Sequence, residues 1–322
     1  MIADMPMGEK ALIKRIRRAV GARRGVVAGI GDDCAVLRVP LRHEVLVTTD
    51  FSLEGTHFRR EWHPVDSIGH RCLARGLSDI AAMGGIPLAV FLSLALPRNL
   101  PQKWVGEFMR GMLRLAEEFG VSLAGGDTAE SPSGVLADIV VVGSAPKGKA
   151  IRRSGARVGD GIYVTGVLGG AAAALDLLYA GRKLSARDSP RHFYPEPRVR
   201  VGKYLREKKI ATAMIDISDG LSTDLAHICE ESGVGAEVNE GMIPRAEFRG
   251  YGGLVDMKFT LHGGEDYELL FTVARGKKLP ERIGGIAITK IGRITRGKRV
   301  TIVDGRGKRR KLYPQGWEHF KG

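Results

Sequence analysis

Acidic side chains at loop or element ends, most of them near glycines or closing apolar runs, are the residues of this chain that could do chemistry. They are Asp33 in GIGDDCAVL, Asp50 at the end of VLVTTD, Asp79 in LSDIAAMGG, Asp127 in AGGDT, and Asp216 and Asp219 in DISDG. Taken singly, each has a plain structural use as a turn residue, a helix cap or a solvated surface group. Asp219 stands where a helix N-cap belongs. Taken together, they recur at loop or element ends, and strand ends in α/β units are where ligands collect. The neighbours Asp32 and Asp33 repel each other and are costly to bury without a positive partner. In a chain with 50 Lys+Arg and 36 Asp+Glu, that pair is either a solvated turn or a group that waits for a cation.

The chemistry suited to such a set is narrow. Magnesium takes hard oxygen ligands and uses a few carboxylates together with substrate phosphates. The polyphosphate of ATP is itself anionic, so aspartates hold it only through intervening metal ions. Phosphoryl transfer then needs alignment and charge neutralisation rather than covalent work by the protein. The expectation is an ATP-dependent enzyme that grips phosphate with metal and backbone. Rival motifs fail. GSAPKGKA, residues 143–150, nearly matches a phosphate-cradling loop but ends in Ala150, which offers no hydroxyl, and no helix start follows it. YVTGVLGGAAAALDLL, residues 163–178, has the wrong glycine spacing for a dinucleotide turn and reads as close helix–strand packing. There is no GxSxG elbow, and aromatic content of 6% argues against a sugar-binding cleft with one carboxylate pair.

The elements that must position these residues can be read from periodicity. A helix is expected over 8–20, strands near 34–38 and 43–49, and a long helix within 63–85 that is capped by Asp66 or Ser67, buries Ile68, Cys72, Leu73 and Ile80, and stops at Gly84-Gly85. A strand near 87–96, a helix near 101–119 and strands near 121–124 and 136–144 complete a first domain, placed at 1–147. Residues 145–160 read as a linker. The second domain, 148–322, opens with a strand at 161–165 and helices at 168–180 and near 197–206. A strand then enters DISDG, and a helix over 220–231 buries Leu221, Leu225 and Ile228 before Gly233 stops it. Strands near 234–238, 267–273, 287–293 and 299–303 follow. The fold class is α+β: two α/β-type domains, the second built on a mixed sheet with helices.

Composition bounds the remaining classes. The longest apolar stretch, about residues 86–97, is too short to cross a bilayer, and the first residues lack an apolar signal segment, so a cytoplasmic protein is expected. Cys34, Cys72 and Cys229 are far apart and form neither a disulfide framework nor a zinc site. The formal charge of +14 raises a nucleic-acid hypothesis, yet the basic patches at 14–18 and 308–311 lack interleaved aromatics that would stack on bases; nucleic acid is not the expected partner. Asn occurs only at 99 and 239 and Gln only at 102 and 315, a depletion that suits a thermophilic protein.

Six segments, GIGDDCAVL, VTTDFSLEGTHF, LARGLSDIAAMGG, AGGDT, DISDGLSTDL and GGEDYELLF, stand in the order found in the thiamine-monophosphate kinases, and over residues 8–320 the chain resembles that family. The family belongs to the ATP-binding superfamily that includes aminoimidazole ribonucleotide synthetase and selenophosphate synthetase; those enzymes are the nearest alternatives. The resemblance implies ATP-driven phosphorylation of thiamine phosphate by direct in-line transfer, with no general base. It implies a homodimer in which N-terminal sheets form a barrel. It implies several Mg²⁺ ions on Asp33, Thr48, Thr49, Asp50, Asp79, Asp127, Asp216 and Asp219. Gly126, Asp127, Arg153 and Ser218 would contact ATP, with Arg152 the alternative to Arg153. His57, Glu265 and Trp317 would meet the substrate. Trp317 stands where the family more often has tyrosine, which keeps the ring and loses the hydroxyl.

Overall fold

A computed structural model of the chain describes residues 8–20, 25–248, 252–318 and 320. Its contacts divide it into one unit of Met1–Ile80 with Gly85–Gly148 and another of Ala81–Gly84 with Lys149–Gly322. The first unit runs α1 (Glu9–Ala19), β1 (Val26–Ala28), β2 (Val36–Leu37), β3 (His43–Leu53), α2 (Val65–Ala82), β4 (Ile86–Pro97), α3 (Gln102–Glu118), β5 (Ser122–Ser131) and β6 (Leu136–Pro146). Four strands form a sheet in the order β3-β6-β4-β5. Only β4 and β5 pair in parallel, and the intervening α3 supplies the crossover that a parallel pair requires.

Alternation along β3 decides what each side chain meets. Leu46 and Ser52 are buried and Thr48 and Asp50 half-buried, whereas Val45, Val47 and Phe51 on the opposite face are 51%, 65% and 55% exposed. Helix α2 covers the first face: a Cβ at Gly76 would fall 2.5 Å from Val141 Cγ2, and Val141 is the β6 partner of Thr48. Ile68, Cys72, Leu73 and Ile80 of α2 are buried, as the helical spacing predicts. Asp66 lies in the first turn of α2. Ser67 does not cap it with its hydroxyl, which donates to Pro64 O at 2.7 Å.

Several strand boundaries differ from expectation, two of them by most. β5 does not stop at Ala124: its pairing with β4 continues to Pro97↔Ser131, and the ladder overrides the turn signal of Gly125-Gly126. The strand expected over 34–38 shrinks to β2. Residues 147–160 carry no helix or strand, so no helix N-terminus follows GSAPKGKA.

The second unit contains β7 (Gly161–Thr165), α4 (Gly170–Tyr179), α5 (Pro190–Phe193), α6 (Val199–Glu207), β8 (Ala211–Asp216), α7 (Leu221–Ser232), β9 (Gly235–Asn239), β10 (Glu247–Phe248), β11 (Gly253–Leu254), α8 (Met257–His262), β12 (Leu269–Val273), β13 (Arg282–Ile283), β14 (Ile286–Thr295), β15 (Val300–Val303) and β16 (Arg309–Lys311). Its eight-stranded sheet has the order β16-β15-β9-β14-β7-β12-β8, with β13 on β14. The sheet is mixed, because β15 and β9 run parallel. Leu221, Leu225 and Ile228 of α7 share one core with Ile162, Val164, Ile215 and Val238 of the sheet, and Gly233 ends α7 in a left-handed conformation. Among the described residues, no helix is long and apolar enough to cross a membrane.

Candidate functional site

In the first unit, the loop between β1 and β2 and the middle of β5 meet. A cleft of about 640 Å³ is lined by Asp32, Asp33 and Cys34 from the loop, by Gly125, Gly126 and Asp127 from β5, and by Ile13 and Ile16 from α1. It thereby gathers Asp33, Gly126 and Asp127, which stand far apart in sequence, into a volume suited to a small molecule. Asp127 sits inside a strand, not at its end as its neighbouring glycines suggested. Gly126 is required there by crowding rather than by a turn: its φ is +149°, and a Cβ would lie 1.8 Å from Leu92 O on β4. Helix α1 also reaches this loop. The guanidinium of Arg17 packs on Gly31, where a Cβ would lie 2.5 Å from Nη1, which brings a basic side chain to the glycine that precedes Asp32. Nothing in the spacing of α1 singled Arg17 out from its basic neighbours.

A second grouping lies on the helix-covered face of the same sheet. Thr48 Oγ1 donates to Asp79 Oδ2 of α2. Asp50 is two residues further along the same face of β3, close enough to act on the thiol of Cys72, which burial pushes up to about 12. Both acids sit within elements: β3 continues to the pair Leu53↔Leu136, and Asp79 is followed by a further turn of α2. The expectation that they close their elements is corrected. Thr49 points to the other face and donates to Asp138 Oδ1 at 2.8 Å; its hydroxyl does not join Thr48. Asp138 is a residue the sequence reading missed, although a charge inside LADIVVV was a visible signal. His57 is half-buried in the turn after β3, where its Nδ1 accepts from Leu53 N at 3.0 Å. That bond fixes the tautomer with hydrogen on Nε2 and leaves Nε2 as the donor.

In the second unit, main-chain bonds gather the candidate residues. Asp216 ends β8 and is buried. Beyond it, Ser218 O accepts from Glu265 N at 2.8 Å, and Asp219 O accepts from Trp317 N at 3.2 Å. The two loops touch backbone to backbone, since a Cβ at Gly264 would lie 2.4 Å from Ser218 O. Trp317 is 57% exposed and offers its ring outward. Asp219 is not the cap of α7. Gly220 takes that position, and the carboxylate of Asp224, inside the helix, accepts from Asp219 N at 3.3 Å and Gly220 N at 3.0 Å. Burial first, and then the Asp216 and Asp219 carboxylates, push the Asp224 carboxyl well above the ordinary aspartate range. Three acids thus crowd the β8–α7 turn, an arrangement that gains from a cation. Asp224 was contained in DISDGLSTDL but had no role assigned to it.

Arg152 and Arg153 both have exposed side chains. Arg152 O accepts from Met214 N at 2.9 Å on β8, and Arg153 O accepts from Ser232 Oγ at 3.1 Å. The glycine turn before α4 is closed by protein: Asp266 accepts from Gly169 N at 2.6 Å and from Ala171 N at 3.3 Å. Two of its amides are thus taken by a side chain of the protein, and the packing-turn reading of this segment holds. Among the described residues, no three His, Cys, Asp or Glu side chains stand close enough to hold a cation by themselves. Phosphate oxygens of a ligand have to complete any such shell.

Comparison with known proteins matches residues 31–145 to the N-terminal domain, and residues 157–305 to the C-terminal domain, of AIR synthase related protein. A thiamine-monophosphate kinase of Salmonella typhimurium is 38% identical over 303 residues, covering 90% of this chain and 91% of the relative. Among solved structures, the thiamine-monophosphate kinase of Stenotrophomonas maltophilia superposes with a TM-score of 0.80 at 35% identity, covering 93% of this chain and 98% of that one. A structure of AaThiL complexed with AMPPCP and TMP gives 0.77 at 32% identity, covering 97% of both chains.

Proposed function

The chain belongs to the AIR synthase related proteins, in the branch of the thiamine-monophosphate kinases, and from that premise we propose how its residues divide the work. It catalyses the ATP-dependent phosphorylation of thiamine phosphate to thiamine diphosphate, with ATP as cosubstrate. Gly126, Asp127, Arg153 and Ser218 contact ATP, Asp127 through a metal ion. His57, Glu265 and Trp317 meet thiamine phosphate, the indole offering a face to its cationic ring. A phosphate oxygen of the acceptor attacks the γ-phosphorus in line. That oxygen is ionised at neutral pH, so no side chain has to remove a proton.

Asp33, Thr48, Thr49, Asp50, Asp79, Asp127, Asp216 and Asp219 are the ligands for several Mg²⁺ ions. Their hard oxygen donors, and the crowding of Asp216, Asp219 and Asp224, fit that ion. When bound, magnesium supplies screening between donor and acceptor phosphates. For Thr49 the donor is the main chain, since its hydroxyl is turned to Asp138. The exposed Val45, Val47 and Phe51 of β3 support a homodimer in which two such sheets close a barrel. The enzyme works in the cytoplasm, and its scarcity of Asn and Gln supports a heat-tolerant chain.

The observation that carries this reading is the bonding of Ser218 to Glu265 and of Asp219 to Trp317, because it joins residues assigned to nucleotide and metal with residues assigned to the acceptor. The test is ATP turnover against thiamine phosphate, thiamine, an aminoimidazole ribonucleotide precursor and selenide. Turnover is expected with thiamine phosphate and Mg²⁺ together. Turnover with selenide or the precursor instead would move the chain to another branch of the family.

A further inference from the structure

Glu265 lies in an arch, residues 263–268, that joins α8 to β12. Glu265 and Tyr267 in this arch hold left-handed backbone angles without being glycine, at φ 64° and φ 50°. Such angles are strained, and they persist only where the surroundings over-determine them. The arch is held from two sides. On one, Glu265 N donates to Ser218 O at 2.8 Å and Tyr267 N to Ile217 O at 3.0 Å, while Ile217 N returns a bond to Glu268 O at 2.7 Å. On the other, the buried Asp266 between the two strained residues turns its carboxylate to Gly169 N and Ala171 N in the first turn of α4.

Helix N-terminal amides lack partners within their own helix, and the carboxyl oxygens of Asp266 supply the acceptors. The neighbouring acid is committed elsewhere. Glu268 accepts two bonds from Arg198 at 2.7 and 2.6 Å, one from Arg191 at 2.9 Å and one from Thr165 at 2.5 Å. Asp266 is therefore the side chain that ties the arch to α4.

We propose that Asp266 is a positioning residue for the phosphoryl acceptor, anchoring the arch on α4 so that Glu265 is held beside Ser218 in the geometry that meets thiamine phosphate. This rests on the substrate role assigned to Glu265 above. The experiment is steady-state kinetics of the wild type, Glu265→Gln, Asp266→Asn and the double variant, varying each substrate in turn. Glu265→Gln is expected to raise KM for thiamine phosphate about tenfold, the loss of one modest contact. Asp266→Asn is expected to do the same while KM for ATP moves less than about twofold. The double variant should be no worse than either single, because both act through one contact. An unchanged KM in Glu265→Gln overturns the substrate role of Glu265. A raised KM in Glu265→Gln with an unchanged KM in folded Asp266→Asn, or with effects that multiply, overturns the positioning role alone. The wild type gives a second readout that does not depend on a variant folding. Hydrogen exchange should slow at residues 166–171 as well as at 263–268 when AMPPCP and thiamine phosphate are added, and slowing confined to 263–268 contradicts the anchor.

Discussion

In the first unit, the candidate residues are held by side chains. Thr48 reaches Asp79, Thr49 reaches Asp138 on the other face of the sheet, and Asp33 and Asp127 meet across a cleft between a loop and a strand. In the second unit, the main chain does this work. Glu265 N is bonded to Ser218 O and Trp317 N to Asp219 O, with glycine at the point of closest approach. The difference bears on how each region fails. An acid on a preformed sheet can lose its charge while the sheet stands, because strand pairing and the packing of α2 hold the geometry. A side chain added at the loop crossing of the second unit has to move the backbone, and whatever that backbone carries moves with it.

The largest effect that tests this contrast is loss of a single charge in the first unit. Asp127→Asn or Asp50→Asn should lower turnover by about 10³-fold or more, on the scale of removing a preorganised electrostatic group, with circular dichroism and melting temperature close to wild type. Full magnesium-dependent activity in Asp50→Asn would remove it from the metal set, and an unfolded protein would remove the premise that the sheet stands without the charge. A smaller effect is expected from Gly264→Ala in the second unit. The new Cβ pushes on Ser218 O, and a displacement near 1 Å costs about 10²-fold in rate. Nucleotide and acceptor kinetics should suffer together, because both sets of residues ride on the crossing. A change confined to one substrate would show that the two loops are not mechanically joined.

The smallest expected effect is on stability and concerns Asp266. Burial pushes its carboxyl up to about 7, with Glu268 adding to the rise and the amides of Gly169 and Ala171 and the charge of Arg191 opposing it. A carboxyl raised in the folded state holds its proton more tightly there than in the unfolded chain. The stability it adds is therefore complete below the ordinary aspartate range and is lost as pH rises through about 7. The advantage of the wild type over Asp266→Asn in thermal melts should be larger at pH 5 than at pH 8. The opposite order would mean that the α4 amides, not burial, dominate at that carboxyl.

Much of the fold was legible because it rests on local periodicity. Ile68, Cys72 and Leu73 in α2, and Leu221, Leu225 and Ile228 in α7, are spaced for one helical face and are buried on it. What was not legible depends on partners distant in sequence. Gly125-Gly126 reads as a turn, yet β4 carries the strand through it to Ser131. Thr48 and Thr49 are alike as residues, and only the pairing of β3 and the placement of α2 send one to Asp79 and the other to Asp138. Asp219 looked like a helix cap because it precedes a glycine, whereas the cap is completed from within the helix by Asp224. Helix α8 spans only Met257–His262, too short for a period to show. The acids themselves were found by composition and neighbourhood, but Arg17 and Asp266 gain meaning only from what they touch.

The central claim is that these aspartates grip nucleotide through divalent ions rather than directly. Calorimetric titration of AMPPCP into the wild type and into Asp127→Asn, each with and without Mg²⁺, tests it most directly. Binding is expected in the wild type with Mg²⁺, and it should be lost when either the metal or the Asp127 charge is removed. Equal affinity for AMPPCP in the absence of Mg²⁺ would contradict the account.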